Sequence, residues 1–91
     1  MLPLRVYVAA DCVVSDIAYH LVATIQKLRP YYPIEIIDIS TDTVQRPAYV
    51  FGTPTYCLGE QIVSLGNPAL PTLLAMLDAQ QEKGQNGQRD G

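Results

Sequence analysis

Tryptophan is absent, histidine and phenylalanine occur once each, and cysteine only twice. Six basic residues stand against nine acidic ones, for a net charge of -3. Such a chain has no positive field to draw in phosphate backbones or anionic lipid, so neither nucleic acid nor a membrane surface is an expected partner. No apolar run approaches the roughly 20 residues that a spanning helix needs. The opening MLPLRVYVAAD lacks the basic region and long apolar stretch of a secretory signal, so a cytoplasmic location is expected. Cys12 and Cys57 are too few for a disulfide framework or a structural zinc site. No metal and no cofactor is therefore expected, and both cysteines should be thiols.

What is present describes one folded domain. Of 91 residues, 48% are hydrophobic and 16% charged, the balance of a globular protein rather than a disordered one. Residues 4–9 form a short apolar run without helical spacing, which predicts a buried strand. From Val14 onward Ile17, Ala18, Leu21, Val22, Ile25 and Leu28 follow in steps of three and four, the pattern of one helix face. Asp11, Cys12 or Ser15 can cap its start, and Pro30 ends it, giving a helix over roughly 13–29.

Residues 34–39, IEIIDI, predict a second strand. Signals are mixed over 40–52, which is expected to be a loop with at most one helical turn. Strands are predicted at 55–58 and 61–65, with Gly59-Glu60 as a tight turn between them, hence an antiparallel hairpin. Gly66-Asn67-Pro68 has the form of a helix start, with Asn67 as cap and Pro68 in the first position. That helix carries Leu70, Leu73, Leu74 and Leu77 on one face, with Pro71 tolerated in its first turn. Beyond Gln81 the sequence EKGQNGQRDG offers nothing to bury, so residues 82–91 are expected to be a flexible tail on a domain of 1–81.

The order β-α-β then β-β-α, read with two short motifs, resembles the thioredoxin-like superfamily in its minimal form, which includes the glutaredoxins. The first motif is Cys12-Val13-Val14-Ser15, between a strand and a helix where the family has Cys-x-x-Cys. The second is Gly52-Thr53-Pro54-Thr55 before the hairpin, which looks like the family's cis-proline segment. The resemblance covers residues 4–80. It implies an α/β fold with a mixed four-stranded sheet and helices on its faces, a cis bond before Pro54, a catalytic pair at Cys12 and Ser15, and substrate binding at Thr53 and Pro54. Implied partners are protein or small-molecule thiols and disulfides.

The residues then limit the chemistry. A thiolate is the nucleophile in disulfide exchange, and a helix N-terminus favours it through unpaired N–H groups and the helix dipole. Ser15 can donate a hydrogen bond to such a thiolate but cannot form a disulfide with it, leaving one-thiol chemistry resolved by an external thiol. Asp11 beside Cys12 and Asp16 one turn on oppose ionisation, so Cys12 is expected to titrate like an ordinary thiol. The family's lysine near the cysteine and its double-glycine-plus-aspartate glutathione segment are absent; Gly66-Asn67-Pro68 stands in the latter's place. Cys57 reads as a core residue, too far along its strand from Pro54 for a bridge to Cys12. His20 reads as an exposed residue near Asp16. Tyr31 and Tyr32, flanked by prolines, read as a loop packed on the sheet edge rather than an aromatic platform with Tyr49 and Tyr56.

Two functions of different class follow: a thiol oxidoreductase working through Cys12 alone, or a redox-inactive module that holds an extended partner segment in the Cys12/Pro54 groove by strand addition. A metal-cluster carrier is disfavoured by the single motif cysteine and the missing glutathione segment.

Overall fold

Leu4, Val6 and Val8 alternate with Arg5 and Tyr7, and in an extended chain that alternation sends the two sets to opposite faces. This segment is β1 (Leu4–Val8), followed by α1 (Val13–Leu28), β2 (Ile34–Asp38), β3 (Thr55–Leu58), β4 (Gln61–Leu65) and α2 (Leu70–Asp90). The computed structural model describes residues 2–9, 13–40 and 53–90. The expected loop over 41–52, with Tyr49 and Gly52, lies outside the described residues, as do Asp11 and Cys12.

The sheet has the order β2-β1-β3-β4. β1 runs parallel to β2, from Leu4↔Ile34 to Val8↔Asp38, with α1 as the crossover between them. β3 is antiparallel to both β1 and β4, so the mixed α/β sheet expected from the sequence is present. The β3–β4 turn contains Gly59 at φ +61, a left-handed conformation that suits glycine, and its N–H donates to the Pro3 carbonyl at 3.0 Å.

One face of the sheet carries the main core. Leu4, Val6 and Val8 of β1 and Tyr56 and Leu58 of β3 meet Ala18, Val22 and Ile25 of α1 and Leu73 and Leu77 of α2. Both described helices therefore lie on the same face of the sheet. Each buried Val, Leu or Ile among them contributes about 1.5–3 kcal/mol on burial. The other face holds a smaller cluster of Tyr7 and Cys57 with Ile37, Ile39 and Ile62 around it.

Three sequence expectations shift. On α1 the line facing the sheet is Ser15, Ala18, Val22 and Ile25, while Val14, Ile17 and Leu28, assigned to the apolar face, are about half exposed. A sheet with strands of four or five residues is too small to cover the whole apolar arc of a 16-residue helix. At α2, Asn67 is not the cap. The helix starts at Leu70, and the Ala69 carbonyl accepts the Leu73 N–H at 3.0 Å. With Asn67 as cap, its carbonyl would need the N–H of residue 71, and Pro71 has none. Finally, α2 continues to Asp90, through the segment expected to be a tail.

The two helices are tied by a two-pronged ion pair. Arg29 donates from Nε to Asp78 Oδ1 at 2.8 Å and from Nη2 to Oδ2 at 2.9 Å. The hydrogen bonds from Arg29 hold the Asp78 carboxyl below its ordinary range, although partial desolvation acts the other way. A carboxyl whose folded-state value is depressed contributes stability above its unfolded value, and loses it as pH falls through the folded one. Arg29→Ala is thus expected to lower the thermal midpoint at pH 7, with the gap to wild type closing as pH falls below about 4. A gap that persists at pH 2 would show that Arg29 acts through packing alone.

Candidate functional site

The carboxyl end of β1 brings together three of the sequence-predicted site residues, Ser15, Thr53 and Pro54. The last pair between β1 and β3 is Tyr7↔Thr55, so Pro54 lies beside the point where the chain leaves β1 toward α1. The Thr53–Pro54 peptide is cis, as the family resemblance implies. Pro54 is buried and Thr53 half-buried. The Pro54 carbonyl accepts the Gly66 N–H at 2.8 Å, and Gly66 has φ +94, a conformation that glycine adopts without a Cβ penalty. Proline has no N–H and its carbonyl is engaged, so within this pair only Thr53 has a backbone donor to offer an extended ligand.

Ser15 occupies the first turn of α1 and is fully buried. Its Oγ accepts the Ala9 N–H at 3.1 Å, tying the end of β1 to the start of the helix. A serine at this depth is well placed because its oxygen satisfies a backbone donor that would otherwise be stranded at the strand end. Its own proton remains available for a second bond, the one expected toward the Cys12 sulfur. Cys12, and with it the expected contact to Pro54, lies outside the described residues. Asp16 is exposed.

One residue in this region has a role other than the one its sequence context predicts. Asn67, read as a helix cap, links two elements: Tyr56 Oη donates to its Oδ1 at 2.7 Å, and its Nδ2 donates to the Val14 carbonyl at 2.8 Å. Burial pushes the Tyr56 hydroxyl up to about 12, so it stays protonated and a donor at any physiological pH. The signal available in the sequence was Pro71, which removes Asn67 from the cap position and leaves its amide to bond elsewhere.

The remaining candidates have structural roles. Cys57 is a free, fully buried thiol, core as expected. It points to the face opposite α1, and burial pushes its thiol up, with Arg5 partly opposing. His20 is exposed. Tyr32 is buried in the main core and donates to the Leu2 carbonyl at 2.7 Å, whereas Tyr31 is exposed and donates to Gln81 Oε1 at 3.0 Å. Tyr31, Tyr32 and Tyr56 do not form an aromatic platform. Among the described residues no group of three or more His, Cys, Asp or Glu could hold a metal ion, and no helix is long and apolar enough to cross a membrane.

Comparison with protein-family models, curated proteins and solved structures returns no match.

The Ser15–Ala9 bond sets an expected stability effect. Ser15→Ala removes the acceptor of a partly buried N–H and should cost about 1 kcal/mol in urea denaturation. An unchanged midpoint would mean that water replaces the hydroxyl at Ala9.

Proposed function

We propose that this chain is a thioredoxin-like thiol redox protein in which Cys12 is the reactive thiol and Ser15 its hydrogen-bonding neighbour. Thr53 and Pro54 would form the wall against which a substrate lies. The observation that carries the reading is the convergence, at the carboxyl end of β1, of the cis Thr53–Pro54 segment and the buried Ser15 at the start of α1. The sheet order β2-β1-β3-β4, with α1 as a parallel crossover, is compatible with that layout.

The chemistry is sulfur exchange. The Cys12 thiolate attacks one sulfur of a disulfide; that S–S bond breaks as the Cys12–S–S bond forms, and the departing thiolate takes a proton. Ser15 cannot displace the bound half. An external thiol, as thiolate, attacks the bound sulfur, forms a new disulfide with it and returns Cys12 as thiolate. That external thiol is the reductant, and its arrival limits turnover.

A second reading has one observation in its favour. Val13, Val14 and Ile17, at the start of α1, are 78%, 45% and 49% exposed. Apolar surface of this kind beside the site suits a module that holds an extended partner segment without reacting with it.

Disulfide exchange with a protein disulfide and a small external thiol separates the two. Wild type is expected to turn over slowly and Cys12→Ser not at all. Ser15→Cys is expected to raise turnover by opening an internal resolving step. Equal, background-level rates for wild type and Cys12→Ser would remove the redox reading in favour of the binding module. A wild-type rate matching that of Ser15→Cys would refute the one-thiol mechanism.

A further inference from the structure

We propose that the outer surface of the helical layer is a self-association face whose occupant is a second copy of this chain. A two-fold axis sets α1 antiparallel to the α1 of its partner. The inference is independent of the thiol reading, and it gives the apolar start of α1 a different occupant from the binding-module reading.

Both helices lie on one face of the sheet, which leaves the far side of each to solvent. The Asn67 amide reaches the Val14 carbonyl at one end and Arg29 reaches Asp78 at the other, so α1 and α2 run side by side in the same direction. Beside the line that α1 turns to the sheet runs a second, largely apolar line. Val14, Ile17, Leu21, Thr24 and Leu28 follow in steps of three and four, the spacing of a helix-pairing seam. A right-handed crossover turns this line toward α2 rather than toward the β2 edge. It is covered only in part: Leu21 packs on the core, whereas Val14, Ile17 and Leu28 stay about half exposed. The one hydroxyl in the line is engaged within the helix, Thr24 Oγ1 donating to the His20 carbonyl at 3.0 Å.

The surface continues on α2. Residues 70–77 carry no charged side chain, and Thr72 is the one polar residue among them. A helical stretch that is apolar all round is ordinarily buried all round, yet Pro71, Thr72 and Ala75 are exposed. Asp78, which follows, is neutralised by Arg29.

Charge selects a second copy as the occupant. The middle of the face is uncharged, so two identical faces meet without the repulsion that a net charge of -3 per chain otherwise brings. The charges of α1 stand at its ends, Asp16 in the first turn and Lys27 in the last. An axis at Leu21 sets Val14 opposite the partner's Leu28 and brings Asp16 toward the partner's Lys27. It also opposes the two helix dipoles. One line of side chains thus serves as both halves of the contact, as an isologous interface requires.

Size sets the strength. With 16 residues, α1 is about 24 Å long, and two helices about 10 Å apart make a layer roughly 20 Å wide. The face offers on the order of 500 Å² per chain, near the lower end of specific interfaces. That suits a weak, reversible dimer rather than an obligate one.

The test is sedimentation velocity on the full-length chain, from low micromolar to a few hundred micromolar. Wild type is expected to pass from monomer to dimer over that range. Ile17→Glu sets like charges against each other across the seam and should weaken association by about ten-fold or more. Leu28→Glu should do the same, and takes its place if circular dichroism shows Ile17→Glu to have lost helix. Tyr19→Glu, at a similarly exposed position on the other flank of α1, should leave association unchanged. Lys27→Asp should weaken it by about two- to ten-fold, and adding Asp16→Lys should restore it. A wild-type chain that stays monomeric throughout would overturn the proposal and leave the face to an extended partner segment. So would a dimer that Ile17→Glu and Leu28→Glu leave intact, one that Tyr19→Glu weakens equally, or a double exchange that restores nothing.

Discussion

β1 is hydrogen-bonded along both edges, to β2 in parallel and to β3 in antiparallel register, and every described feature of the site is placed relative to its carboxyl end. The parallel pair requires a crossover, and α1 supplies it, which brings the helix start back over the end of the strand it has just left. The antiparallel pair brings Thr55, and therefore Pro54, to the same end. Two chain segments about forty residues apart in sequence meet there because one five-residue strand is shared between two partners.

The period-two alternation of that strand and of β3 divides the sheet into unequal faces. Leu4, Val6, Val8, Tyr56 and Leu58 face both helices, and Tyr7 and Cys57 face away. This separation fixes the environment of Cys57. Cys12 immediately precedes a helix that packs on one face. Cys57 is sealed on the other, where burial disfavours its thiolate.

Much of this was legible locally. The hairpin was read to its exact residues because Gly59 needs a left-handed turn and short β-branched and aromatic runs flank it. Helix α1 was bounded to within a residue because its apolar steps begin after a strand and Pro30 closes it. At α2 the cap signal of Asn67-Pro68 points two residues too early, because the missing N–H of Pro71 is the stronger constraint and moves the start to Leu70. A cap contributes about 1 kcal/mol, whereas an interior helix position that lacks its donor costs about 3. The buried line of α1 was also partly misread. Hydropathy counts Val14 and Ile17 as core and Ser15 as surface, yet a small polar side chain with a hydrogen-bond partner is buried at low cost when its neighbour is a strand end.

By itself, the sequence determined the elements and their order, the position of the turn, the core character of Cys57 and the two motifs that carry the family resemblance. These depend on local properties: the periods of two and 3.6, the φ demands of glycine and the missing donor of proline. Only the tertiary structure decided which face of the sheet takes both helices, that Ser15 closes the end of β1, and that Asn67 joins Tyr56 to α1. Each of those outcomes requires partners distant in the chain, and a hydrogen bond between Asn67 and Val14, 53 positions apart, leaves no trace in the spacing of residues around either one.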